Sequence, residues 1–167
     1  MSATPTDTKR DDLRLGRRAM ALLSRAAQFS ATERGVTRLY LSPEHRAIMT
    51  WLMGLMSDIG LSVELDPAGS VVGRLASDQP DAPTLIIGSH QDSVKEGGAY
   101  DGILGVILPL VCLETLVQRG QKLGIKKVDD GIWLVSFMHH DLGYIDLEQK
   151  TLQTIDNPFG TRVSPMS

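Results

Sequence analysis

TLIIGS, residues 84–89, is the stretch on which the fold turns. It is a short apolar run between a polar linker, ASDQPDAP at 76–83, and a histidine. That is the signature of a strand buried between helices. Residues 101–119 follow as a long apolar segment whose polar residues, Glu114, Gln118 and Arg119, gather at its far end. It reads as a buried helix, kinked by Pro109. IWLVSF at 132–137 reads as a second buried strand. Strand, helix, strand predicts a right-handed parallel crossover, hence an α/β fold with a mostly parallel sheet.

In open α/β sheets ligands bind beyond the carboxyl ends of the strands. At that place stand His90, Gln91 and Asp92, and the loop SVKEGGAYDG then returns to Asp101 and Gly102. A lone histidine at a strand end is usually structural, and a carboxylate at a helix start is usually a cap. Together they point elsewhere. Asp92 is placed to accept the second imidazole N–H of His90, fixing its tautomer and raising its basicity. One imidazole and one carboxylate with open positions between them suit zinc or a similar divalent ion. Gly97 and Gly98 let the loop turn tightly, as any flexible turn would.

Working back from this centre, residues 61–75 form a hairpin, with LSVEL and VVGRL as strands and DPAGS as the turn. Ahead of it lies a well-marked helix. Ser42 caps it, Pro43 suits its first position, and Glu44 favours the positive end of its dipole. Ile48, Trp51, Leu52, Leu55, Met56 and Ile59 make its apolar stripe, and Gly60 ends it. Residues 11–30 carry a further helical stripe, with Arg14, Arg17 and Arg18 on a solvated face. His45 reads as a solvated first-turn residue, and Lys126, Lys127, Asp129 and Asp130 as an exposed connection. The single cysteine, Cys112, reads as a small buried hydrophobe.

With 42% hydrophobic and 22% charged residues, the chain is globular rather than disordered. A net charge of -3 provides no basic footprint, so no nucleic-acid partner is expected. No membrane partner is expected either: the longest apolar stretch, residues 103–113, is about half of the ~20 residues a bilayer crossing needs. The first ten residues, MSATPTDTKR, show no secretory signal, so the expected location is the cytoplasm.

GSHQDSVKEGGAYDGILGV, residues 88–106, resembles the metal motif of the hydantoinase/carbamoylase branch of the zinc-dependent aminoacylase/carboxypeptidase metallohydrolases. GVTRLYLSPEH at 35–45 and the DPAGSVVGRL hairpin resemble that branch too, allantoate amidohydrolase most of all. The resemblance implies an incomplete three-layer sandwich of a zinc-exopeptidase-like catalytic domain. It divides the chain into a flexible tail at 1–10, the N-terminal portion of the catalytic domain at 11–137, and a divergent tail at 138–167. It implies that His90 binds one metal ion, that Asp101 bridges two (zinc or manganese), and that Asp92 orients His90. It also implies a cis peptide between Asp101 and Gly102. The activity implied is hydrolysis of linear ureido compounds, allantoate or N-carbamoyl amino acids, by a homodimeric enzyme.

The chain departs from that pattern after the second strand. Relatives have a Glu-Glu pair there, a general base followed by a metal ligand; here the stretch reads FMHHDLGYI, residues 137–145. His140 falls at the base and Asp141 at the ligand. Adjacent residues at a strand end point opposite ways, so at most one of His139 and His140 faces the site. The further histidine ligands and the dimerisation domain of relatives are missing, as after a frameshift or premature stop. The expectation is therefore an amidohydrolase by ancestry, inactive as an isolated chain and holding at most one metal ion weakly. The alternatives are a non-catalytic metal-binding remnant, or an interaction module pairing with a full-length homologue.

Overall fold

The computed structural model describes residues 5–77, 81, 84–120, 124–129, 132–137, 140–146 and 151–154, with side chains only between residues 13 and 120. It divides into two compact units, residues 1–117 and 118–167.

The first unit is built on three helices. Helix α1, Pro5–Ala26, begins within the stretch expected to be a tail. Its stripe of Ala19, Leu22, Leu23 and Ala26 is buried against α2 and α3 in one core cluster. Arg18, exposed as expected, also grips Glu114 of α3 with both Nε and Nη2, at 3.1 and 2.9 Å. Arg18 is nearly half exposed and Glu114 partly so, so the pair contributes at most about 1 kcal/mol.

Helix α2, Pro43–Ile59, carries the expected signals at both ends. The Ser42 hydroxyl accepts from the His45 N–H at 3.2 Å, and Gly60 closes the helix at φ 96°. Ile48 and Leu52 are wholly buried. Each such side chain contributes about 1.5–3 kcal/mol relative to exposure. The predicted hairpin follows as β1, Ser62–Leu65, and β2, Val71–Arg74, paired antiparallel with Ser62 opposite Arg74. Its turn is held by the Asp66 carboxylate, which accepts from the Ser70 N–H at 2.7 Å.

Helix α3, Ile103–Gln118, contains Pro109 as expected, but it is only half covered. Ile103, Ile107, Leu110, Val111 and Leu116 are buried, whereas Leu104, Leu108 and Val117 are exposed. A helix apolar all round needs cover on every side. Within this unit it finds cover on one face.

The second unit is an antiparallel meander in the order β3-β4-β5-β6: Gly124–Asp129, Ile132–Phe137, His140–Asp146 and Thr151–Thr154. IWLVSF is thus a strand, as expected, but both its edges are taken by sequence neighbours. Hairpins close shorter loops than a crossover does and cost less chain entropy. The stretch with Lys126 and Lys127, expected as an exposed connection, is strand β3. Every strand pair among the described residues is antiparallel.

Residues 84–89 belong to no strand. Ile86 is 87% exposed and Ile87 55%, the reverse of a buried central strand. Strand character is conferred by hydrogen-bonded neighbours. These residues have none among the described ones, so the expected parallel sheet is not formed there. Among the described residues no helix is long and apolar enough to cross a membrane.

Candidate metal centre

Three of the singled-out side chains meet at the start of α3. The His90 ring turns Nδ1 toward Asp92, 3.1 Å from its carbonyl oxygen and 3.3 Å from its Oδ1. Nε2 faces the other way, 3.6 Å from Oδ1 of Asp101. Both oxygens beside Nδ1 only accept, so a neutral ring would carry its proton on Nδ1 and leave the Nε2 lone pair facing Asp101. Nε2 and the Asp101 carboxylate therefore present two acceptors to one place. At 3.6 Å they are too far apart for a hydrogen bond.

That donor set fits a cation. Two ligand atoms at about 2.0–2.1 Å from one tetrahedral ion stand about 3.4 Å apart. The carboxylate behind Nδ1 supplies the outer partner that metal-bound imidazoles usually have. His90, Asp92 and Asp101 are each about half exposed, open to solvent and substrate. Among the described residues, however, no group of three or more ligating side chains comes together. Only two candidate ligand atoms, Nε2 of His90 and Oδ1 of Asp101, converge among the described residues.

Local backbone places them. The Asp101 N–H reaches the Gly98 carbonyl at 3.3 Å, and the Ile103 N–H reaches the Asp101 carbonyl at 2.7 Å. This tight turn delivers the Asp101 carboxylate just ahead of α3. Gly102 makes it possible: its φ is +69°, and a Cβ there would lie 2.4 Å from Cε1 of His90. The peptide between Asp101 and Gly102 is trans, not cis as the resemblance implied. Of the loop positions expected to need glycine, Gly97 and Gly98 have ordinary φ, and Glu96 takes the left-handed conformation at φ 51°.

The ligand loop is stitched to residues 36–38. Val36 and Gly97 exchange backbone hydrogen bonds at 3.0 and 2.9 Å, and the Ser93 N–H donates to the Arg38 carbonyl at 2.9 Å. The buried Ser93 hydroxyl accepts from the Arg38 N–H at 2.9 Å and donates to the Val36 carbonyl at 2.8 Å. Thr37 Oγ1 accepts from the Glu96 N–H at 2.8 Å. Sequence reading passed over Arg38, Thr37 and Ser93 individually; the stretch GVTRLYLSPEH was visible only as a family likeness.

His45 corrects the sequence reading. It is 2% exposed rather than solvated, and its Nδ1 accepts from the Leu41 N–H at 3.2 Å. Burial lowers its pKa, opposed by the nearby Asp92 charge and reinforced by Arg38. Cys112 is half-buried, and burial raises its thiol pKa. His140 and Asp141 lie in the second unit, opposite Phe137 and Ser136 in the β4–β5 pairing. His139 lies outside the described residues. A shallow hollow of about 130 Å³ lies on the hairpin, lined by Ser62, Val63, Glu64, Val72 and Arg74, and none of the site residues lines it.

No family model matches the chain. Individual relatives do. An N-carbamoyl-L-amino-acid amidohydrolase of Paenarthrobacter aurescens is 39% identical over 94 residues, which is 56% of this chain and 23% of the relative. An allantoate deiminase of Arabidopsis thaliana is 34% identical over 109 residues, 65% of this chain and 21% of the relative. The crystal structure of a hydantoinase/carbamoylase family amidase from Burkholderia ambifaria superposes with a TM-score of 0.61 at 33% identity, covering 67% of this chain and 27% of that one. The relatives are those of the hydantoinase/carbamoylase branch. The chain spans about a quarter of the length of the relatives it matches.

Proposed function

We propose that the chain carries part of the metal centre of a metal-dependent amidohydrolase for linear ureido compounds, allantoate or N-carbamoyl amino acids. As an isolated chain it does not complete that reaction. The convergence of His90 Nε2 and Asp101 Oδ1 at 3.6 Å, with Asp92 behind the ring, carries the reading. The names of the relatives supply the substrate class.

In this reading His90 and Asp101 hold a zinc or manganese ion, and Asp92 keeps the proton on His90 Nδ1 so that Nε2 is free to ligate. When bound, such an ion acidifies a water and polarises the ureido carbonyl. By sequence position alone, His140 falls where the family has its general base and Asp141 where it has a further metal ligand. The intact enzyme of this branch holds two ions and works as a homodimer. Two ligands hold one ion weakly at best, because affinity grows with the full ligand set. Residues 11–137 correspond in this reading to the front portion of a zinc-exopeptidase-like catalytic domain. Residues 84–89 would gain parallel neighbours in the complete three-layer sandwich.

The exposure of Ile86, Ile87, Leu104, Leu108 and Val117 favours a second reading, an interaction module that pairs with a full-length homologue. A third is a metal-binding remnant without turnover. Metal content of the purified chain beside a His90→Ala control, with an ammonia assay on allantoate and carbamoyl amino acids, tests all of them. The expected result is zinc or manganese in wild type, none in the variant, and no ammonia from either. Equal metal in both, or none in both, would overturn the metal centre. Ammonia released on mixing with an inactive full-length homologue would favour the module.

A further inference from the structure

We infer that Arg38 is a positioning residue for the metal loop, holding Gln91, and with it His90 and Asp92, in ligating register; the inference rests on the metal-centre reading above. Arg38 is 1% exposed, the largest of the fully buried side chains. Its Nε donates to the Gln91 carbonyl at 2.5 Å, and its Nη1 donates to the Ala26 and Phe29 carbonyls, each at 3.0 Å. No carboxylate touches it among its described hydrogen bonds. A guanidinium buried on carbonyls alone is costly.

Part of that cost is offset at the end of α1, whose last residue is Ala26, where the helix dipole is negative. A lysine could supply a charged donor to the Ala26 and Phe29 carbonyls as well, whereas an apolar side chain would leave them unpaired. What only a planar fork supplies is a second, differently directed donor toward Gln91, the residue between His90 and Asp92. Ser93 secures the same loop from the other side, on the Arg38 backbone. The loop is thus held on both flanks of Asp92 by one residue. Deletion of the Nε bond frees the Gln91 peptide and lets the imidazole and its Asp92 partner swing out of line with Asp101.

The test compares wild type, Arg38→Lys and Arg38→Gln as full chains. Three readouts are used: zinc affinity by chelator competition, the absorption spectrum of bound cobalt, and thermal unfolding in chelator. Arg38→Lys keeps the charge at the end of α1, and Arg38→Gln keeps an uncharged donor. The expected result is metal-free unfolding of at least one variant close to wild type, with zinc affinity lowered about 10–100-fold and a changed cobalt spectrum. Zinc affinity equal to wild type in a folded variant would overturn the inference alone. Two variants that unfold in chelator and are not restored by zinc would overturn it too, placing Arg38 in the fold. Wild type that binds no zinc would overturn the metal centre itself and this inference with it.

Discussion

Nε2 of His90 and Oδ1 of Asp101 stand 3.6 Å apart, too far for a hydrogen bond yet close enough to flank one cation. Two lone pairs aimed at one place repel each other, and a cation between them removes the repulsion. Asp101→Asn keeps the shape of the side chain and removes its charge. Zinc affinity is expected to fall at least tenfold. Stability without metal should change by less than about 0.5 kcal/mol, since the carboxylate is half exposed and holds no structural contact beyond the His90 ring. Isothermal titration with zinc, beside urea unfolding in chelator, separates the two effects. Unchanged affinity would mean that the acid only caps α3.

Asp92 acts on the other side of the ring. Its oxygens fix the proton on Nδ1. In Asp92→Asn the backbone carbonyl at 3.1 Å can still accept from Nδ1, but the carboxylate that reinforces this tautomer is lost. An amide N–H can then compete for Nδ1, favouring the Nε2–H form that blocks the ligating lone pair. Affinity is expected to fall about 10–100-fold, as for other outer partners of metal-bound histidines. Nitrogen chemical shifts of the His90 ring in the metal-free chain read the tautomer directly. An Nδ1–H tautomer that persists in the variant, with zinc binding intact, would assign Asp92 no part in orienting the ring.

Gly102 ties backbone to site. At φ +69° an alanine is strained by about 1–2 kcal/mol, and its Cβ would lie 2.4 Å from the His90 ring. The ring, at the free end of its side chain, can move aside, but only by leaving Asp101. Gly102→Ala should therefore lose zinc binding altogether while the chain still folds. Gly60→Ala is the control. Its φ of +96° gives comparable strain, and a Cβ there meets nothing within 4 Å. Denaturant unfolding in chelator and zinc titration of both variants should show similar destabilisation and opposite metal behaviour. Zinc binding retained by Gly102→Ala would show that His90 need not occupy its present place.

These contrasts track what was legible in the sequence. Ser42, Gly60 and the DPAGS turn were readable because caps and turns are decided within a few residues. His90, Asp92 and Asp101 were readable because one short loop contains them. TLIIGS was misread because an apolar run becomes a strand only through neighbours, and neighbours are a property of the whole sheet. IWLVSF was half read: its strand character is local, but its antiparallel partners β3 and β5 depend on competition between connections. Arg38 left no signal of its own beyond the family likeness of GVTRLYLSPEH, since its value lies in carbonyls at residues 26, 29 and 91 that only folding assembles.

His45 was misread for the same reason, and its burial carries a pH dependence. The neutral ring accepts from the N–H of Leu41, a residue held in the left-handed region at φ 59°. A protonated ring has no lone pair there and would sit buried beside Arg38. Burial accordingly holds the imidazole below its ordinary 6.5. The unfolded chain takes up the proton near pH 6.5 and the folded chain resists it, so below that pH the unfolded state binds more protons. Stability is then full above about pH 7 and declines as pH falls from about 6.5 toward the depressed folded value. The slope attributable to one group cannot exceed about 1.4 kcal/mol per pH unit. His45→Asn keeps an acceptor near Nδ1 and titrates nowhere in this range. Urea unfolding of both proteins from pH 5 to 8 should give a wild-type curve that falls on the acid side relative to the variant. Groups common to both proteins cancel in the difference. Parallel curves would mean that His45 is reached by solvent readily enough to charge without loss of the fold.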